Sequence, residues 1–167
     1  MKSVIIDTSS AILMYKCHTI PALLKYCSPV ISSAVKAELI VPGYEGWEFF
    51  TELCRNSMIK VLELETEKAD ELAGSLHIGE RSAIALYYEG KGDFIIMDDG
   101  KGSAFCRDNK IPYINALLAV KILFFKRLVT ETEFDNARRW MIANGRYSKK
   151  VIEWAENADE NLLSAFI

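Results

Sequence analysis

The sequence predicts an α/β fold, a three-layer α/β/α sandwich with a short, mainly parallel central sheet. Three observations lead there. Short apolar runs alternate along the chain with segments of helical period, the pattern of strands and helices succeeding one another around a parallel sheet. Half of the residues are hydrophobic and 26% are charged, which supplies both a core and a solvated surface. The 167 residues contain no linker, low-complexity tract or internal repeat, so residues 1–167 read as a single domain.

Each element follows from local chemistry. Residues 3–6 form a short buried strand that stops at Asp7, and residues 9–15 a helix. Val30-Ile31 is a second brief strand. Ser32 or Ser33 then caps a helix running to about Ile40, because a hydroxyl there accepts one of the orphan N–H groups of the first turn. Pro42-Gly43-Tyr44-Glu45-Gly46 breaks the chain before a helix over 47–55 and an alternating strand over 59–64. Thr66 is the cap for a helix over 67–76, and a second helix over 80–89 follows Gly79. After the turn Gly90-Lys91-Gly92-Asp93 comes the cleanest strand, 94–97, which ends at Asp98-Asp99. A helix over 101–109, a short strand over 112–114, a strongly apolar helix over 116–127 and helices over 131–143 and 149–158 complete the chain.

Composition excludes several classes. A disordered chain and a disulfide framework do not fit half hydrophobic residues with four cysteines in no C-x-x-C pair. The longest greasy stretch, 114–129, is interrupted by Asn115, Lys121, Lys126 and Arg127, whereas a membrane span needs about 20 mostly apolar residues. Only Val4-Ile5-Ile6 precedes Asp7, far short of a secretory apolar region, so a cytoplasmic protein is expected. Cys17, Cys27, Cys54 and Cys106 are expected to be reduced thiols, and His18 and His77 give no zinc spacing. With two histidines in the chain, any chemistry must rest mainly on carboxylates.

Ligands in open parallel sheets bind beyond the carboxyl ends of the strands, which is where Asp7 and Asp98-Asp99 fall. Taken alone, an Asp after a strand is also an ordinary helix cap. Glu38 and Glu80 are expected on inward helix faces, Glu38 beside Val35 and Leu39, Glu80 in a stripe with Ala83, Ile84 and Tyr87. Glu80 could instead be a first-turn acid interacting with the helix dipole, and Glu38 could pair with a buried arginine. Brought together, these acids could not stay ionised without a cation. An all-oxygen, histidine-free set suits Mg²⁺ or Mn²⁺, which lower the pKa of bound water and hold a phosphate oxygen for phosphodiester hydrolysis.

Four blocks in order resemble the PIN-domain nucleases. Val4-Ile5-Ile6-Asp7-Thr8-Ser9 is similar to their opening strand and Asp-x-Ser motif. Ser32-Ser33-Ala34-Val35-Lys36-Ala37-Glu38-Leu39 resembles the helix that carries the second acid, and Gly79-Glu80-Arg81-Ser82-Ala83-Ile84 the Gly-Glu-x-x-Ala block. Phe94-Ile95-Ile96-Met97-Asp98-Asp99 is similar to the strand that delivers the last acid. The likeness covers about residues 1–118. Residues 119–167 resemble the C-terminal helical extension, packed on the domain, of a subgroup related to VapC-type toxins. The resemblance implies Asp7, Glu38 and Asp99 as metal ligands, Glu80 as a ligand or its partner, and Ser9 as a hydrogen-bonding support of Asp7 or of a metal-bound water. The last block ends in two acids, so Asp98 or Asp99 closes the set. Gly100-Lys101-Gly102 departs from the basic, Ala-rich helix start of many relatives, and the loop at 42–47 could alter access.

The implied activity is a Mg²⁺- or Mn²⁺-dependent endoribonuclease, acting on RNA as a toxin with a small antitoxin partner or as a processing enzyme. The alternative is a PIN-like nucleic-acid-binding or regulatory module without efficient catalysis. A receiver domain or phosphatase fits less well, because the acid pair comes late and the first strand lacks an Asp-x-Asp-x-Thr motif. With a net charge of −3, phosphate contacts need local cations, for which Lys101 and Arg107 are the candidates beside the last acid. Arg138, Arg139, Arg146, Lys149 and Lys150 read as a solvated helix face interleaved with acids. Trp47, Tyr87 and Tyr88 could stack on bases but are expected to pack. The apolar helix around Leu118, Ile122, Phe124 and Phe125 is expected to be central, with a homodimer interface as its second explanation.

Overall fold

A computed structural model describes residues 1–64 and 76–166. The helix expected over 67–76, with its cap at Thr66, falls outside the described residues. The described chain forms β1 (Ser3–Ile6), α1 (Thr8–Lys16), α2 (Ile20–Tyr26), β2 (Ser28–Ser32), α3 (Ser33–Leu39), α4 (Trp47–Arg55) and β3 (Lys60–Leu62). Then come α5 (Ile78–Tyr88), β4 (Phe94–Ile96), α6 (Gly100–Asp108), β5 (Tyr113–Ile114), α7 (Ala116–Phe125), α8 (Glu131–Asn144), α9 (Lys149–Asn157) and α10 (Glu160–Leu163). The strands make one sheet in the order β3-β2-β1-β4-β5. Every pairing in it is parallel, as expected of strands joined through helices.

Alternation along the strands sorts side chains to the two faces. Val4, Ile6, Ile31, Phe94, Ile96 and Ile114 share a core with α1, α2, α7 and α8. Ile5, Val30, Ile95 and Met97 point the other way, into a second core with Ala83, Ile84 and Leu86 of α5 and Cys106 of α6. The sheet is therefore covered on both faces, which is the α/β/α sandwich.

Side chains set the helix starts. Ser32 Oγ accepts the Val35 N–H at 3.1 Å, Asn115 Oδ1 accepts the Leu118 N–H at 2.9 Å, and Thr130 with Glu133 forms a reciprocal cap on α8. Helix α2 has no sequence signal of that kind. Thr19 makes no side-chain cap and Pro21 stands in the first turn, where a missing N–H costs nothing. What holds α2 is tertiary burial of Ile20, Ala22 and Leu23.

The apolar helix α7 is central. Leu117, Leu118, Ala119, Val120, Ile122 and Leu123 are all buried within this chain, which accounts for its greasiness on several sides. Residue 119, where the C-terminal extension was expected to begin, lies inside α7, and Ala137, Met141 and Ala155 from the following helices join the same core. All four cysteines are free thiols, and burial pushes Cys27 and Cys106 up to about 12. Among the described residues no helix is long and apolar enough to cross a membrane.

Truncating the fully buried Leu118 to Ala should cost about 2–5 kcal/mol, since the close-packed helix cannot collapse around the lost methyls. Urea denaturation of wild type and variant measures this; a loss under about 1 kcal/mol would contradict the central placement of α7.

Candidate functional site

In-register pairing of β1 with β4 aligns Val4 with Phe94 and Ile6 with Ile96, so both strands end at the same edge of the sheet. The Asp7 N–H continues the ladder to the Ile96 carbonyl at 3.1 Å. Asp7 is the N-cap of α1: Oδ1 accepts the Ser10 N–H at 2.9 Å and Oδ2 the Ser9 hydroxyl at 2.5 Å. Asp99 is the N-cap of α6, with Oδ1 taking the N–H groups of Lys101 at 2.7 Å and Gly102 at 3.0 Å. Glu80 stands in the first turn of α5, where Oε2 accepts the His77 N–H at 2.9 Å. Glu38, near the end of α3, accepts a hydrogen bond from the Thr8 hydroxyl. The cap reading holds for Asp7 and Asp99, and the first-turn reading for Glu80.

All four carboxylates line one cleft of about 350 Å³ with Thr8, Ser9 and His77. No lysine or arginine lies in its described lining. Burial pushes the Asp7 carboxyl up to about 6; the hydrogen bonds from Ser10 and Ser9 pull against this, and Asp98 adds to it. Burial also raises Glu80, with Asp99 and Glu38 contributing as like charges. Among the described residues no three such side chains converge closely enough to hold an ion as they stand. The donor set still fits a hard divalent cation in kind, being four carboxylates at one edge of the sheet.

Small residues bring these elements close. Ser32 and Ser82 hydroxyls meet at 2.6 Å, and Ser82 Oγ donates to the Gly79 carbonyl at 2.8 Å, tying the start of α3 to the start of α5. A Cβ on Gly79 would sit 3.1 Å from Glu38 Oε2 and 3.2 Å from Thr8 Oγ1. A Cβ on Gly102 would meet Met97 Sδ at 2.5 Å, so Gly102 has a packing reason where α6 lies against Met97, whereas a Cβ on Gly100 would meet nothing within 4 Å.

Several expectations need correcting. Asp98 does not line the cleft. Its Oδ2 accepts the Ser10 hydroxyl at 2.6 Å and the Ala116 N–H at 2.9 Å, and its Oδ1 accepts the Tyr147 hydroxyl, so its oxygens are spent holding α1, α7 and the C-terminal segment. Glu38 is exposed at the rim rather than inward-facing. Lys101 and Arg107 are absent from the cleft lining; Arg107 lies at the far end of α6, paired with Asp108 at 3.2 Å. The loop at 42–47 is likewise absent from it. Thr8 and His77, which line the cleft, and Tyr147, which bonds Asp98, were not singled out by the sequence reading. Thr8 stood within the first block, whereas nothing local marks Tyr147, which reaches Asp98 across 49 positions.

A PIN-domain family, DUF3368, matches residues 3–155. The chain belongs to that family. No similar protein was found among curated proteins, and none among solved structures. The match to this PIN domain runs from β1 into α9 and so takes in every element that lines the cleft. PIN domains are generally nucleases, and the acid-lined strand ends are where such chemistry would sit in this one.

The raised Asp7 carboxyl makes a stability prediction for the metal-free PIN domain. The fold favours protonated Asp7, so its contribution is intact below the ordinary value of 3.8 and is lost as pH rises through about 6. Asp7→Asn should therefore melt higher than wild type at pH 8, by up to about 3 kcal/mol in stability, and no higher at pH 3.5. Calorimetric melts in a chelator at both pH values test this; an equal change at both would refute it.

Proposed function

We propose that this PIN domain is a Mg²⁺- or Mn²⁺-dependent endoribonuclease that hydrolyses phosphodiester bonds of single-stranded or looped RNA. The observation that carries the reading is that Asp7, Glu38, Glu80 and Asp99, from four separate elements, line one cleft with no lysine or arginine in its described lining. A divalent ion held there would supply an activated water and polarise a phosphate oxygen. The chain's own residues do the rest. Ser9 and Ser10 hold Asp7, and two α6 amides hold Asp99, so the strand-end carboxylates are fixed before any ligand arrives. Thr8 and the His77 amide orient Glu38 and Glu80 from the helix side. Because Asp7 keeps its proton to about pH 6, cation uptake releases that proton and strengthens as pH rises from 5 to 7.

The likeness of the four blocks and downstream helices to toxin-related PIN domains supports a place in a toxin–antitoxin pair. A small antitoxin would seat on the cleft rim, where Ile78 is 58% exposed. One observation favours a second reading, an RNA-binding module without efficient catalysis: the acids do not converge to ligating distance as they stand among the described residues.

Titrating Mn²⁺ by calorimetry and incubating single-stranded RNA with the metal tests the proposal. Wild type should show saturable uptake that Asp7→Asn loses, and cleavage that chelation stops. Removing supports of metal ligands costs about 10–100-fold, so Ser9→Ala should fall in that range and Asp99→Asn beyond it. RNA that is bound in chelator yet uncut after long incubation with metal would sink the nuclease reading in favour of the binding module.

A further inference from the structure

We propose that the hollow beside the acidic cleft seats a nucleotide flanking the scissile phosphate, with Trp154, Arg146 and Asn115 as its contacts; this rests on the ribonuclease reading above. The hollow has a volume of about 590 Å³, within the range of about 300–1,000 Å³ usual for ligand clefts. It lies between α1, the ends of β4 and β5, and the segment joining α8 to α9. Ser9, Ile12 and Asp99 line both it and the acidic cleft, so one runs into the other. A strand with its phosphate at the acids would have its next residue here.

The groups on its walls are unspent. Asn115 is only 8% exposed, and its Oδ1 is used to cap α7 through the Leu118 N–H. Its amide nitrogen, with two donors, has no partner among the described residues. Arg146 was read as part of a solvated helix face, but it lies in the α8–α9 connection, in a left-handed conformation at φ 53°, and lines the hollow. It makes no ion pair among the described residues, even though Asp98 and Asp99 share the wall. The Asp98 carboxylate is already engaged by the Ser10 hydroxyl, the Ala116 N–H and the Tyr147 hydroxyl. Trp154 is 45% exposed and has no aromatic partner among the described residues, on a helix whose Ala155 is buried in the core. A stacking face, a free guanidinium and an amide donor in one hollow match a base with its phosphate; they do not match an apolar peptide, which would leave the arginine and the amide without acceptors.

The test is binding of fluorescein-labelled hexauridylate by anisotropy in chelator, with cleavage of unlabelled RNA in Mg²⁺ read in parallel. Trp154→Ala and Arg146→Asn should each weaken hexamer binding by about tenfold, and Trp154→Phe should restore most of it. Asn at 146 tolerates the left-handed backbone, and Asn115→Asp keeps the α7 cap while replacing the donors, so a loss in either is not a folding defect. Glu80→Gln, outside the hollow, should stop cleavage and keep binding. If all three hollow variants bind the hexamer as wild type does while wild type cleaves RNA, the hollow assignment is overturned and the nuclease reading stands. If wild type cuts no RNA but these variants lose binding, the nuclease reading fails and the hollow remains an RNA site. No hexamer binding by wild type overturns the assignment and leaves the hollow to a protein partner.

Discussion

The parallel, in-register pairing of β1 with β4 is the constraint on which the rest depends. It ends two buried strands at one edge and places the Asp7 amide on the Ile96 carbonyl. Helices then begin at once, α1 after Asp7 and α6 after Asp99, because each carboxylate caps the helix that follows it. A helix N-terminus carries partial positive charge, so the fold supplies each strand-end acid with its own partial neutralisation. This lets acids gather at a sheet edge in a chain that brings no lysine or arginine to the described cleft.

The second pair of acids is brought in through close approach. Ser32 closes β2 and caps α3, and its hydroxyl meets Ser82 of α5, which in turn bonds the Gly79 carbonyl. That buried chain of hydroxyls sets the spacing of α3 and α5, and the missing Cβ of Gly79 leaves room for the Glu38 carboxylate. Burial, with like charges on Asp98 for Asp7 and on Asp99 and Glu38 for Glu80, raises both carboxyls from their ordinary values, a cost to the metal-free fold.

Asp98 and Asp99 show how neighbouring identical residues divide their work. Successive side chains of an extended backbone point to opposite sides. Asp99 turns to the acidic cleft, while Asp98 turns inward and gathers Ser10, Ala116 and Tyr147. Through Tyr147 the segment after α8 is fastened directly behind the acids, and with it comes the wall that carries Arg146 and Trp154. The C-terminal helices thus shape the ground beside the candidate centre as well as completing the core around α7.

The sequence by itself determined the layered α/β class, the strand at 3–6, a strand from 94 ending just before Asp98, a serine cap at 32 or 33, and the set of acids to consider. These rest on short-range causes: apolar periodicity, the hydrogen bonding of small polar side chains, and order along the chain. It could not separate Asp98 from Asp99, since both satisfy the same local pattern and only the direction of the chain's exit from β4 distinguishes them. It passed over α2, whose stability comes from packing rather than capping, and it placed Glu38 inward because helical spacing does not say which side another element covers. Tyr147 and the exposed wall of the hollow were beyond its reach for the same reason. Contacts spanning 49 positions or more are set by how helices dock on the sheet, and that is decided by the burial of the whole core at once.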